Sequence, residues 1–319
     1  MKISTFTIFA FILIAPEIFC QEKKVISITH LESSALSVQM ENYVSILIRE
    51  INKSYSAGSL PIFPSECVGP HALENIYGIW KNSPFKFITT SGNFKGIITA
   101  MGYQIRGLAI QMQEGKIIQN GVINFNPNGR IESFYFAIEE NLYNAVSTEN
   151  HSLQDQQKRQ FILNFIEEFR TAYNRKDLNL ISRIYGEDVL IITGYIYRVS
   201  NDKATVSGLT EEKVQFNLYN KNEYISRLKE VFQQNRFVNL FFEDIFILQH
   251  PSFPNIYGVT LLQRWRSTRY NDDGWLFMAV EFKSATEMLI HVRTWQPYIL
   301  NRMVFPREEV YQLGNFEFR

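Results

Sequence analysis

The chain is expected to fold as an α+β protein in two parts, each a set of helices followed by an antiparallel sheet. Three observations point there. Apolar residues recur at helical spacing in a few long segments. Strand-like runs cluster between residues 85 and 138 and again between 237 and 297. A polar stretch at 145–158, AVSTENHSLQDQQK, has no apolar period and separates the two parts. With 319 residues and 45% hydrophobic side chains the chain is long enough for two cores.

Residues 1–20 place one lysine ahead of the apolar run Phe6–Ala15, then Pro16 and, before Gln21, Cys20. This is the layout of a secretory signal peptide, so the expectation is export to a periplasmic or extracellular compartment with cleavage after Cys20. Lipid attachment at Cys20 is the disfavoured alternative, because bulky Phe19 stands where a lipobox needs a small residue. No later run is long enough for a transmembrane segment in the mature chain.

The N-terminal α+β domain is expected over residues 21–144. Leu36, Met40, Tyr43, Leu47, Ile51 and Tyr55 make one stripe of a helix over 33–56, opened by Ser33 or Ser34 and closed near Gly58. HALENIYGIW gives a shorter helix, and strands follow at FKFITT, FKGIITA, YQIRGLAIQM, KIIQNGVINF and RIESFYFAI. Asn128-Gly129 is the strongest hairpin turn. Arg106, between two glycine positions, marks a bulge or a close backbone approach.

The second domain is expected over 159–300, with a tail, 301–319, packing back on a domain or adding an edge strand. Phe161, Phe165, Phe169 and Tyr173 fall four apart on its first helix. LNLISRIYG makes a short second helix, DVLIITG a strand and KNEYISRLKEVFQQN a third helix. The strands FVNLFFEDIFILQ, YGVTLLQRWRST, GWLFMAVEF and LIHVRTWQP complete it, with a turn read at Asn271-Asp272-Asp273-Gly274.

That order of elements, and the wording FIEEFRTAYNRKDLNLISRIYGEDVLIITG with its N/D-x-x-D link between helices, resembles the NTF2-like superfamily that includes SnoaL-like and ketosteroid-isomerase-like proteins. The resemblance covers about residues 157–297, in particular exported NTF2-like proteins of bacterial envelopes. It implies a cone, a curved antiparallel sheet wrapped around helices with a pocket between them. Fold does not decide activity. The N-terminal half carries no such resemblance.

Closing the last two hairpins symmetrically about 270–271 and 285–286 puts Val259, Leu261, Gln263, Trp265, Leu276, Met278, Val280, Phe282, Leu289, His291, Arg293 and Trp295 on one face. Gln263 then lies near Met278, opposite Arg293. The other face carries Arg264, Arg266, Glu281, Ile290 and Val292, with the charges placed for cross-strand pairing. On the inner face Arg293 needs a partner. The partner is an internal carboxylate (Asp244 or Asp188), a ligand's carboxylate, or a catalytic neighbour, with His291 as the weak candidate base. The pocket set is Arg293, His291, Gln263, Tyr173, Trp295 and Trp265.

Lys+Arg and Asp+Glu both number 32, which argues against nucleic acid. The five histidines are scattered and no metal site or cofactor is expected. Cys67, the one cysteine left after cleavage, reads as a small buried hydrophobe rather than a nucleophile. The favoured expectation is an exported binding module that takes a small organic ligand or an envelope protein. A homodimer through the outer sheet face is a further partner. The alternative is a SnoaL- or ketosteroid-isomerase-like enzyme that transfers protons in the cone.

Overall fold

The computed structural model describes residues 26–31, 33–99, 101–138, 153–200, 210–284 and 287–318. The expected leader with Cys20, most of the expected linker including His151, and the connection at 285–286 lie outside the described residues.

In the first half, helices α1 (Ser34–Ala57) and α2 (Pro70–Asn82) pack on a sheet of β2 (Phe85–Phe87), β5 (Gly102–Met112), β6 (Ile118–Phe125) and β7 (Ile131–Phe136). Strand β4 (Ile97–Thr99) pairs with β5. The Ser33 side chain accepts from the Leu36 amide to start α1, and Gly58 ends it at φ 64°, the left-handed conformation that glycine adopts without Cβ strain. The β6–β7 turn falls at Asn128-Gly129, where the Asn126 carboxamide accepts from the amides of Asn128 and Arg130. Strand β1 (Ile26–Thr29), which the sequence reading missed, pairs in parallel with β3 (Gly92–Lys95). Cys67 is buried in this core.

The second half is a curled six-stranded sheet around three helices. Helix α3 runs Leu153–Arg175, starting inside the stretch expected as a linker, and α4 runs Leu178–Ile184. Asp177 caps α4 by accepting from the Leu180 amide at 3.0 Å. Strands β8 (Tyr185–Ser200) and β9 (Thr210–Tyr219) follow, then α5 (Lys221–Gln234), opened by a capping box of Asn220 and Glu223. Four strands close the half: β10 (Val238–Gln249), β11 (Ile256–Ser267), β12 (Asn271–Phe282) and β13 (Met288–Pro297). The sheet order is β10-β11-β12-β13-β8-β9, and this curled sheet around its helices has the cone architecture that the resemblance implies.

Two expectations about this sheet are corrected. One strand was expected between the second and third helices, but β8 and β9 form a long antiparallel pair; β9 is an edge strand whose short apolar alternation, Val214, Phe216 and Leu218, follows a charged start. β13 and β8 run parallel, so the sheet is not wholly antiparallel.

Helix α3 serves both halves. Its aromatic stripe enters the cone core, while Glu167, Arg170 and Thr171 on its other side meet the first half. Buried Arg106 sits at a bulge in β5 and ion-pairs with buried Glu167. Arg170 donates to the carbonyls of Leu240 (2.6 Å) and Ala137 (2.8 Å) and to the Gln119 side chain.

The tail crosses the outer face of the cone sheet. Leu313, Phe316 and Phe318 pack over Ile256, Phe277 and Val292, and Val310 over Leu262 and Trp275. The face expected to receive a second copy is therefore covered by this chain's own tail.

Candidate functional site

Register decides which side chains meet inside the cone. Met278 pairs with Arg293 and Leu276 with Trp295, as the hairpin argument expected. The preceding hairpin differs: Leu261 pairs with Leu276 and Gln263 with Gly274, so Gln263 does not lie beside Met278. The reversal occurs between Ser267 and Tyr270, where each backbone amide bonds the other residue. Asn271-Asp272-Asp273-Gly274 is the start of β12, not a turn. The slip is by an even number of residues, which keeps every side chain on its expected face.

His291 is the main correction. Val292 pairs with Ala279 and Ile290 with Val280, so His291 is the extra residue of a β-bulge in β13. Beyond the bulge the alternation inverts. Ile290 and Met288 enter the cone core, and His291 lies on the outer side with its Nε2 2.7 Å from Glu281 Oε2. It lines an outer groove of about 470 Å³ with Asp188, Val292 and Phe316. Burial pushes the Glu281 carboxyl up, but Lys283 and His291 outweigh it and hold it below the ordinary value. Glu281 therefore pairs with Lys283 and His291, while Arg264 and Arg266 pair with Glu243 and Asp273.

Arg293 stays inside, 5% exposed, with its guanidinium over the Tyr224 ring at 5.3 Å. Neither expected carboxylate reaches it. Asp244 is exposed at a bulge of β10, with φ 49°, and Asp188 is exposed by the outer groove. The phenols that act on its charge are those of Tyr224, Tyr173, Tyr185 and Tyr270. Tyr173 is the hub, its hydroxyl 2.7 Å from that of Tyr224 and 3.1 Å from that of Tyr185. Burial raises the Tyr173 and Tyr185 phenols well above the ordinary value, so they stay neutral and supply no counter-charge. Arg293 Nε has no hydrogen-bond partner among the described residues.

The other inner polar atoms share this state. Gln263 Oε1, Trp265 Nε1 and Trp295 Nε1 are buried without a partner. The Trp295 indole lies over Gly274, where a Cβ would overlap its Cε2 and Nε1. Trp265 stacks on Tyr270 at 5.6 Å and 10°. Opposite Trp265, on the same face, stands Asp272, which burial and then the Asp273 carboxylate push up to about 6.

Sequence reasoning missed Tyr185, Tyr224, Tyr270, Asp272 and Gly274 as members of this group. Tyr224 stands four residues before Leu228 on the third helix, a spacing that could have marked it as inward; Asp272 and Gly274 were hidden by composition that reads as a turn. Tyr195, in β8, is exposed and donates to Gln215 at 2.8 Å, outside this group. Among the described residues no three His, Cys, Asp or Glu side chains converge as a metal site, and no helix is long and apolar enough to cross a membrane.

No protein-family model and no curated protein matches the chain. Solved structures similar to it include Bd1075 of Bdellovibrio bacteriovorus, 14% identical over 61% of this chain and 89% of that one, TM-score 0.33. An NTF2-like protein of Cytophaga hutchinsonii is 12% identical over 44% of this chain and 98% of its own, TM-score 0.31. An NTF2-like protein of unknown function from Shewanella oneidensis is 14% identical over 43% and 98%, TM-score 0.30. The cone is defined by the order of this chain's own helices and strands.

Proposed function

We propose that the protein is an exported binding module whose cone takes a small organic ligand against the inner faces of β11 and β13. One observation carries this reading: Arg293 is a buried guanidinium that no carboxylate of the described residues neutralises. A buried charge left this way costs several kcal/mol, and a ligand anion removes that cost by gripping the guanidinium. Native mass spectrometry of protein purified from its own compartment tests it. The expected result is a bound small molecule that is lost from Arg293→Met; a wild-type protein free of any adduct overturns the reading. Export is tested on the same sample, which should begin at Gln21; an acylated Cys20 would replace cleavage with lipid anchoring.

The enzymatic alternative keeps one observation in its favour. The hydrogen-bonded chain Tyr185–Tyr173–Tyr224 beside Arg293 offers donors to a developing oxyanion, and Asp272, rather than His291, is the inner carboxylate with a raised pKa. Deuterium exchange at the α-carbons of a panel of small ketones, followed by NMR, tests it. Exchange no faster than in buffer retires it.

A further inference from the structure

The cone sheet ends in two edge strands, β10 and β9, and their outward backbone groups are served differently. Along β10, helix α3 covers the edge: the Leu240 amide donates to Asn174 Oδ1 at 2.7 Å, the Leu240 carbonyl accepts from Arg170 and the Ile247 carbonyl accepts from Arg159 at 2.9 Å. Along β9 the edge is covered at one residue among those described. Strands β14 (Ile299–Leu300) and β15 (Met303–Val304) form a hairpin whose two turn residues, Asn301 and Arg302, have φ 52° and 65°. Asn301 Oδ1 accepts from the Glu212 amide at 2.7 Å, and its Nδ2 donates to the Glu212 carbonyl at 3.1 Å.

The Glu212 groups that Asn301 binds therefore point away from β8. In an antiparallel ladder the amide and carbonyl of every second residue point the same way, and β9 pairs with β8 without a bulge, so those of Val214, Phe216 and Leu218 point outward too. Among the described residues β9 has no strand neighbour but β8, and these outward groups have no partner. The three side chains share one face. Val214 stands opposite Ile196, which is 40% exposed, Phe216 is 37% exposed with its ring 6.1 Å from Tyr311 of the tail, and Leu218 is 65% exposed. An edge with free backbone groups and an exposed apolar row is a template for another strand.

We propose that β9 pairs with β9 of a second copy of this chain, antiparallel about Phe216, so that two six-stranded sheets become one continuous sheet. The open stretch runs from Lys213 to Tyr219, bounded by Asn301 at Glu212 and by Asn220, which caps α5. Phe216 is its centre. The register about Phe216 pairs all three outward residues among themselves: Phe216 with the partner's Phe216, Val214 with the partner's Leu218 and Leu218 with the partner's Val214. It also sets Gln215 opposite the partner's Asn217 and Lys213 opposite the partner's Tyr219, so the one charge of the stretch does not meet its like, and beyond it Glu211 approaches the partner's Lys221. This self-complementarity selects a second copy over a foreign strand. The tail closes the outer face of the sheet and leaves this edge open. A pairing of so few residues is small among protein interfaces, so a dissociation constant of about 1–100 μM is expected.

Sedimentation velocity of the full chain between about 1 and 300 μM should show a monomer–dimer equilibrium. Leu218→Pro removes an outward amide and no bond to β8, so the dimer should weaken about tenfold or more while the melting curve of the dilute protein stays in place. Register is read by mild oxidation of Phe216→Cys and Leu218→Cys beside the wild type. The two-fold sets the Cα atoms of position 216 about 5.5 Å apart, within disulfide reach, and those of position 218 about 14 Å apart. Cys67 is buried, so a crosslinked dimer above the wild-type level is expected from Phe216→Cys alone. A chain that stays monomeric at about 300 μM, a dimer indifferent to Leu218→Pro, or equal crosslinking of the two cysteine variants each overturns the proposal.

Discussion

His291 and Arg293 stand two residues apart on one strand and face opposite sides of the sheet, because the bulge at His291 inverts the alternation between them. A regular strand would have put both inside the cone. The bulge leaves the cone one cation and no histidine from this strand, and gives the outer face a His–Glu pair beneath the tail.

Arg293→Met is expected to leave thermal stability unchanged or to raise it. The side chain has no anionic partner among the described residues, and an apolar chain of similar length removes a buried charge without orphaning another. Differential scanning calorimetry of the ligand-free protein checks this; a loss of more than about 2 kcal/mol would mean that an anion of the chain serves the guanidinium.

Buried Arg106 and Glu167 behave in the opposite way, since each neutralises the other between the two halves. Arg106→Met alone should cost about 3–5 kcal/mol by leaving Glu167 uncompensated. Adding Glu167→Gln, which keeps an acceptor for the Ile138 amide, should recover most of it. Urea unfolding of the two variants measures the difference.

Gly274→Ala is expected to destabilise by about 1–3 kcal/mol, because the added methyl meets the Trp295 indole in a packed interior. A shifted Trp295 indole resonance should accompany the change; an unmoved signal with unchanged stability would contradict the close approach.

Asp272 has its folded pKa raised to about 6, chiefly by burial. A carboxyl raised in the folded state binds its proton more tightly there than in the unfolded chain. Its contribution to stability is therefore full at low pH and declines as pH rises from the unfolded value to about 6. Relative to Asp272→Asn, the wild type should lose about 1–2 kcal/mol between pH 4 and pH 7. Urea melts of both proteins at three pH values isolate the effect; parallel curves would remove it.

Burial pushes the Cys67 thiol up to about 12, and its Sγ lies 3.4 Å from the Tyr43 carbonyl. The native protein should not react with Ellman's reagent at pH 8 over an hour, and should titrate fully in urea. Fast labelling of the native chain would show that the first core opens readily.

Much of the fold was legible in the chain. The stripe from Leu36 to Tyr55 with Ser33 before it and Gly58 after it predicts α1 to its caps, and Asn128-Gly129 predicts the β6–β7 turn, because these signals are local steric and hydrogen-bond preferences. Strand β9 was missed although Val214, Phe216 and Leu218 alternate with polar residues, because the alternation is short, follows the charged run 211–213 and stays largely exposed at the sheet edge. The face of Gln263, Trp265, Arg293 and Trp295 was legible because parity survives an even slip. That of His291 was not, because a bulge leaves no mark in a run of strand-forming residues.

The sequence by itself determined the elements, their order and the apolar parity of most strands, since period and capping are properties of neighbouring residues. Only the tertiary structure decided which groups face Arg293: a cluster of neutral tyrosines in place of a carboxylate. It also decided that Gly274 lies under Trp295, that the tail covers the outer sheet face and that α3 is shared by both halves. Each of those facts is set by strand register, a bulge or docking between segments far apart in the chain, where the energy belongs to the pair in contact and to neither residue alone.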